Sequence, residues 1–349
     1  MANILTRYGD NYVAEMTEAE IRADIEDGTQ DAADRAQIPA LTTDEMDYLY
    51  EIIACPQKIV SVEPGKEVVV SFDAGTLKLS VRNGIPMDRL QAILTQERAL
   101  ASDSIELCHV DYSYKPIKPI ISEERQAMEQ AQLLTTLPVM YGAMPNMGLY
   151  TKPDGPCENW AELLPAGKIP EARAAQEEAI EHAIKDIVFV ASNMIESGAD
   201  GINFDTVGAS GDADVKASLE AVRILKKMYP TTGFEVGMAG EFNLGMHGKL
   251  AFDDEIIAGL YPHQQVKMAE RAGVSIFGMA VNTNSSMSLA WNLARVVTFA
   301  KAAVKAADIP VHANVGMGVG GVPLSVIPSA DAVSRVDKAL IEIAGVDGL

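Results

Sequence analysis

Ile341–Leu349 (IEIAGVDGL) reads as the end of a helix, a turn and the start of a buried strand. Helix, turn and apolar strand in that order make the repeating unit of a β/α protein. The same unit recurs on working back through the chain. Helices are predicted over Met87–Ala101, Ser122–Thr135 and Glu171–Gly198, leading into strands at Ile105–Asp111, Leu137–Ala143 and Gly201–Asp205. Strands follow at Phe234–Met238, Val274–Val281 and Pro310–Val315, and a seventh would start at Val346. Most strand starts lie roughly 32 to 40 residues apart; the one longer gap holds the loop Met144–Pro170. Such spacing predicts parallel strands joined by right-handed crossovers. No GxGxxG follows an early strand, so the expected fold is an α/β TIM-type (β/α)8 barrel, incomplete at the C-terminus, rather than an open dinucleotide-binding sheet.

The first part of the chain has a different texture. Thr17–Gly28 carries a capping threonine, a glutamate three residues on and a closing glycine, and Thr43–Ala54 repeats the helical signature. After Pro56 the segments Ile59–Val62, Glu67–Phe72 and Thr76–Val81 are rich in β-formers. They predict a small antiparallel unit, with the turn Asp73–Gly75 pairing Leu77–Val81 back onto Glu67–Phe72. Counting Leu77–Val81 as a barrel strand instead would bring the total to eight. The expected division is therefore 1–85, helical and antiparallel, and 86–349, the barrel.

Composition narrows the function classes. The 349 residues are 48% hydrophobic and 22% charged, the balance of a globular protein. Forty-nine acidic against 28 basic residues give a formal charge of -21, which repels nucleic acid and anionic membrane and weakly favours cationic ligands. A plain solubility surface is the preferred explanation of that charge. No apolar run approaches the roughly 20 residues of a membrane span, and the N-terminus has no signal-peptide pattern, so a cytoplasmic protein is expected. Cys55, Cys108 and Cys157 have no CxxC spacing, which argues against a disulfide framework or a cysteine-rich zinc site.

Barrel enzymes carry their reactive groups at the carboxyl ends of the strands. His109 and Asp111 close the first predicted strand, Tyr141 the second, and Asn203 and Asp205 the third. Glu235 lies in the fourth with Glu241 just beyond it, Asn282 ends the fifth, and His312 and Asn314 belong to the sixth. An unpaired polar group in such an apolar strand costs roughly 2–7 kcal/mol, so these residues either pair with one another or face a wet cavity. The glycines of Gly316–Gly321 (GMGVGG) fit a tight turn or an anion cradle. His109, His247 and His312 show no spacing that brings two onto one helix face, so no metal is expected. The methionines near Pro145 and at Met238 and Met246 suit packing, or a mouth that receives a large flat cofactor.

Several of these stretches carry a resemblance. Tyr141–Tyr150 (YGAMPNMGLY), Gly198–Asp212 (GADGINFDTVGASGD), Gly237–Gly248 (GMAGEFNLGMHG), Pro262–Gln265 (PHQQ), Ala290–Arg295 (AWNLAR), Gly316–Gly321 and Ala344–Gly348 resemble the dimethylamine:corrinoid methyltransferases over nearly the whole chain. The resemblance implies a barrel enzyme that moves a methyl group from dimethylamine to the Co(I) centre of a cognate corrinoid protein. The corrinoid would be carried by that partner and not bound directly, and a homo-oligomer is compatible with the reading.

Dimethylamine is a cation at neutral pH, and its leaving group is a strong base. The reaction needs a carboxylate to hold and deprotonate the ammonium, an electrophile to capture the nitrogen, and an opening for cobalt. Glu235, Glu241 and Asp205 are the candidates for the acid/base and cation-holding roles, with no motif that ranks them. Tyr141, Asn203 and Asn282 are the candidates for orienting the amine. In the family resembled, the electrophile is pyrrolysine, inserted at an amber codon directly after the segment that matches Ala344–Leu349. The expectation is thus an amino-terminal part of the enzyme, inactive without that residue. The alternative is a non-catalytic barrel protein that binds a small amine or a corrinoid partner.

Overall fold

A computed structural model describes residues 3–73, 89–99, 101–107, 110–112, 117–245 and 249–349. The strands are β1 (Ile4–Arg7), β2 (Val13–Met16), β3 (Ser71–Asp73), β4 (Ser104–Glu106), β5 (Val139–Ala143), β6 (Gly201–Val207), β7 (Gly233–Met238), β8 (Ala251–Phe252), β9 (Glu255–Ile256), β10 (Ile276–Met279) and β11 (Val311–Ala313). Seven of them form one sheet in the order β11-β10-β7-β6-β5-β4-β3, while β1 with β2 and β8 with β9 make small antiparallel pairs. The fold is mixed α/β with the strand–helix alternation of a TIM-type barrel. Among the described residues no helix is long and apolar enough to cross a membrane. The chain divides into two compact units, Val70–Leu260 with Met268–Phe277, and Met1–Val69 with Tyr261–Lys267 and Gly278–Leu349.

In the first of these units β3, β4, β5, β6 and β7 pair in parallel, each with the next. One face of the sheet is apolar and covered by helices: Ile105, Val139, Ile202, Phe204, Phe234 and Val236 are all buried. The rings of Phe204 and Phe234 lie 6.4 Å apart on neighbouring strands. Burying each such side chain stabilises the fold by about 1.5–3 kcal/mol. The long helix Ile169–Glu196 contributes Ile187, Val190 and Met194 to the buried set, and Asp212–Met228 contributes Leu219, Val222 and Leu225.

The strand Ser71–Asp73 corrects the expected antiparallel unit. It pairs in parallel with Ser104–Glu106 and so belongs with the barrel-type strands. The antiparallel pair at the N-terminus is instead Ile4–Arg7 with Val13–Met16. Thr76–Val81 lies outside the described residues, as do Met87, Asp88 and Leu100 of the helix expected over Met87–Ala101, of which Arg89–Ala99 is described as helical.

Within the other unit, Ile59–Val62 forms no strand, because its backbone groups are taken by side chains from the helix Ala330–Ala339 and the turn after it. Val60 N–H donates to Ser334 Oγ, Lys338 Nζ donates to the Ser61 carbonyl at 2.9 Å, and Glu63 N–H donates to Glu342 at 2.8 Å. The guanidinium of Arg335 adds bonds to the carbonyls of Ile53, Cys55, Gln57 and Lys58. An irregular segment whose polar backbone is met this way has no need of a ladder partner.

The helix predicted to close at Gly28 runs over Glu18–Ala36, although its capping box at Thr17 and Glu20 forms as expected. Gly28 lies mid-helix because a Cβ there would stand 2.2 Å from the carbonyl oxygen of Trp291. Its role is close approach to the helix Leu289–Ala306. Three acids on one face complete that contact: Asp24 accepts from Ser288 at 2.5 Å, Asp27 from the Trp291 indole at 2.7 Å, and Asp31 from Arg295 at 2.9 Å.

Residues 341–349 have the expected order. The helix Ala330–Ala339 passes into a wider turn at Leu340–Ala344, Gly345 takes a left-handed conformation with φ 76°, and Val346 is buried. Gly348 then forms parallel bridges to both Val69 and His312. Asp347 and Val311 exchange two bonds of 2.9 Å, one through each backbone N–H.

Candidate functional site

Side chains alternate across a strand, so register decides which of them share a face. Asn203 on β6 stands opposite Glu235 on β7, and Gly142 on β5 stands opposite Asn203. Glu106 on β4 is level with Met140 on β5, which is level with Gly201. Glu106, Asn203 and Glu235 therefore lie on one face, opposite the face that packs on the helices, and Asp205 Oδ1 reaches the same place beside Gly237. The Asn203 amide donates to Glu106 Oε2 at 2.5 Å. That bond fixes which way the amide points and leaves Asn203 Oδ1 buried without a hydrogen-bond partner among the described residues.

Gly237, two residues beyond Glu235, makes space at this face. A Cβ at Gly237 would lie 3.4 Å from Asn203 Oδ1 and also 3.4 Å from Asp205 Oδ1. Two acceptors thus converge on the place that a side chain would fill. Asp205 itself lies where the ladder between β6 and β7 slips, between Phe204 and Val207, and Thr206 is held at φ 57°. A β-branched residue in that region is strained, and bulges of this kind re-aim side chains at functional sites. The turned Thr206 N–H donates to Asp205 Oδ1 at 2.7 Å, which helps to fix the carboxylate.

The other expected residues are placed as follows. Glu235 is 5% exposed and Glu241, in the loop after β7, is 6% exposed. Tyr141 is level with Ile202 and so falls on the helix-covered face, fully buried. Asn282 belongs to the other compact unit, where it is exposed, bridges to Val319 and accepts from Arg295 through its carbonyl. His312 bridges to Gly348, and the Asn314 N–H donates to the carbonyl of Met279. Asp111 accepts from the Asn146 amide at 2.9 Å. Met238 is buried. His109, His247, Met246 and Cys108 lie outside the described residues.

Gly316–Gly321 forms a tight two-residue hairpin turn. Gly316 and Val319 exchange both backbone bonds at 3.1 Å, with Met317 at φ 47° and Gly318 at φ 83° between them. Paired positive φ values of this kind favour glycine. A Cβ at Gly320 would come within 2.5 Å of the Asn314 carbonyl oxygen. The turn accounts for these glycines on conformational grounds.

Three features went unread in the sequence. Glu106 was taken only as part of an apolar strand. Asp212 and Asp214, in the first turn of the helix after β6, are both fully buried. Burial pushes the Asp214 carboxyl up to about 7, against the pull of the Ser210 and Gly208 N–H groups that donate to it, and Asp212 adds to the rise. Finally, the ligand atoms of Cys157, Glu178 and His182 gather within 4.8 Å of one another. The four-residue step from Glu178 to His182 was the available signal.

Parallel strands with acidic groups gathered on the face turned from the helices are the arrangement of a β/α enzyme. The dimethylamine methyltransferase (Dimeth_PyL) family profile matches residues 2–349, and the chain belongs to that family. Among solved structures it is similar to the homocysteine methyltransferase MmuM from Escherichia coli, with 11% identity, TM-score 0.43, and 78% of this chain and 97% of that one covered. A methyltransferase from Methanosarcina mazei matches at 12% identity and TM-score 0.41, covering 80% of this chain and 94% of that one. The carboxyl transferase domain of Rhizobium etli pyruvate carboxylase matches at 14% identity and TM-score 0.42, covering 95% of this chain and 50% of that one. The family match, and not these distant likenesses, carries the assignment as a methyltransferase.

Proposed function

We propose that the protein transfers a methyl group from dimethylamine to the Co(I) centre of a cognate corrinoid protein. Dimethylammonium and Co(I) give methylamine and methyl-Co(III): cobalt supplies the electron pair of the new Co–C bond, and the C–N pair leaves with nitrogen. The carrying observation is the pair of acceptors, Asn203 Oδ1 and Asp205 Oδ1, that converge on the space beside Gly237. A secondary ammonium has two N–H donors and a positive charge, and this face offers it two acceptors with Glu235 alongside. In this reading Asp205 and Glu235 hold the cation, take one proton so that its nitrogen can be captured, and return that proton to the nitrogen as methylamine leaves, while Asn203 orients the amine. Glu241 remains proposed for an acid/base role; Tyr141, on the helix-covered face, and Asn282, in the other compact unit, are given no contact with the amine in this reading.

The proposal includes pyrrolysine as the electrophile that captures the amine nitrogen. Ordinary side chains offer no stable imine carbon, so these 349 residues alone are proposed to be inactive. The test mixes protein made with pyrrolysine, Co(I) corrinoid protein and dimethylamine, and follows the conversion of Co(I) to methyl-Co(III) by absorbance. Transfer is expected, with Asp205→Asn or Glu235→Gln slower by on the order of 10²–10⁴. Gly237→Ala, which fills the space between the acceptors, should raise KM. Tight amine binding with no methyl transfer would support the non-catalytic reading instead, and full activity in both acid variants would remove these carboxylates from the chemistry.

A further inference from the structure

The loop that precedes the long helix Ile169–Glu196 brings a thiol, an imidazole and a carboxylate together, none of them among the strand-face acids. Glu178 and His182 are one helical turn apart, so they project from the same face of that helix. Cys157 is fully buried and meets them from the loop. Its backbone is pinned on both sides: the Cys157 N–H donates to the Tyr150 carbonyl at 2.9 Å, and the Lys152 N–H donates to the Cys157 carbonyl at 2.8 Å. Gly155 lies so close to the Tyr150 backbone that a Cβ would stand 2.1 Å from it. The His182 ring stacks on the Tyr150 ring with centroids 6.0 Å apart, and the Tyr150 hydroxyl is held by Asp186 at 2.7 Å. Two of the three donors are therefore fixed by groups behind them, as metal ligands are commonly fixed.

We propose that Cys157, Glu178 and His182 bind a zinc ion that clamps the 151–157 loop to the helix Ile169–Glu196. Sulfur, nitrogen and carboxylate oxygen are the donor types that zinc takes, and three protein ligands leave a fourth position for water. Zinc bonds of about 2.0–2.3 Å place tetrahedral ligand atoms roughly 3.3–3.8 Å apart. Ligand atoms that lie within 4.8 Å of one another need to close by at most about 1 Å to reach that range. Glu178, the exposed member, has room to move toward the ion.

The test is metal binding by the full chain, stripped with chelator and freed of any affinity tag. Zn(II) is titrated against a chromophoric competitor, and Co(II) is added separately to report sulfur ligation. One tight site per chain is expected, with a near-ultraviolet thiolate-to-cobalt band. Cys157→Ser should abolish the band, and His182→Gln should weaken zinc binding by more than the roughly 10–100-fold that loss of an outer partner costs. Glu177→Gln, a neighbour on the exposed side of the helix, should leave binding unchanged. His182→Gln changes a half-buried group, and retained far-ultraviolet dichroism would show that it folds even if Cys157→Ser does not. A missing cobalt band, a band that survives Cys157→Ser, or zinc affinity unchanged in His182→Gln would each overturn the proposal. None of these readouts depends on methyl transfer.

Discussion

Asn203 donates its side-chain amide to Glu106 over 2.5 Å, and the bond steps across a whole strand, from β6 over β5 to β4. Neighbouring strands are about 4.8 Å apart, so the two backbones are separated by roughly 10 Å. The contact is possible because Gly142, level with Asn203 on the middle strand, has no side chain to block it. Asn203→Asp would set a second carboxylate against Glu106 and should destabilise the fold by about 1–3 kcal/mol at pH 8. Near pH 5 the two carboxylates should share a proton, so the loss should shrink there. Urea unfolding at both pH values checks this, and an equal loss at both would show that the introduced carboxylate does not touch Glu106.

The buried Asp214 gives stability a distinctive pH dependence. Its folded-state value of about 7 lies above the ordinary 3.8, so between those values the folded protein holds a proton that the unfolded chain has released. Stability should therefore fall as pH rises from about 4 to about 7 and level off beyond. Asp337, also pushed up to about 7 by burial, acts in the same direction. Asp214→Asn should remove roughly half of the combined decline. Thermal unfolding midpoints across that pH range measure it, and an unchanged slope would mean that Asp214 is already ionised in the folded state.

The sequence shows the strands and helices well because each strand is a short apolar run and each helix has a periodic face. Gly201, Gly233 and Val311 begin strands within a residue of where the pattern places them. Parts that depend on distant partners were illegible. The three pairs from Asp24, Asp27 and Asp31 each span 264 residues, and nothing local distinguishes those acids from solvent-facing ones. Gly28 looks like a helix stop until the Trp291 carbonyl that excludes a side chain is known. The candidate site was legible as a set of strand-end polar residues, but its internal order was not. Which face Tyr141 occupies follows from its register with Ile202, and register is a tertiary fact.

Gly28→Ala sets two effects against each other. Alanine favours a helix interior over glycine by about 1 kcal/mol. Here its Cβ would stand 2.2 Å from the Trp291 oxygen, a backbone atom that moves only if the helices Glu18–Ala36 and Leu289–Ala306 part. Overpacking of this kind typically costs about 1–3 kcal/mol and would loosen the three acid pairs as well. A net loss of stability is expected in urea unfolding, whereas a gain would show that the helices separate easily.

Glu342, within the stretch Ile341–Leu349, anchors its turn through three donors: Tyr48 Oη at 2.5 Å, Glu63 N–H at 2.8 Å and Lys338 Nζ at 2.8 Å. Burial works to raise its carboxyl, but Lys338, Tyr48 and the Glu63 N–H outweigh it and hold the group below the usual range. The stability it contributes should be present above about pH 4.5 and lost as pH falls through the lowered value. Glu342→Ala would strand the buried Lys338 ammonium, with the Ser61 carbonyl left to it at 2.9 Å and Glu63 at 3.5 Å. Breaking one side of a buried ion pair costs about 3–5 kcal/mol, while replacing both partners by apolar groups is often neutral. Glu342→Ala should therefore lose more stability than Glu342→Leu combined with Lys338→Met. Urea unfolding of the two proteins at pH 7 decides it, and the reverse ranking would place the turn's stability in the bonds from Tyr48 and Glu63 rather than in the pairing of Lys338.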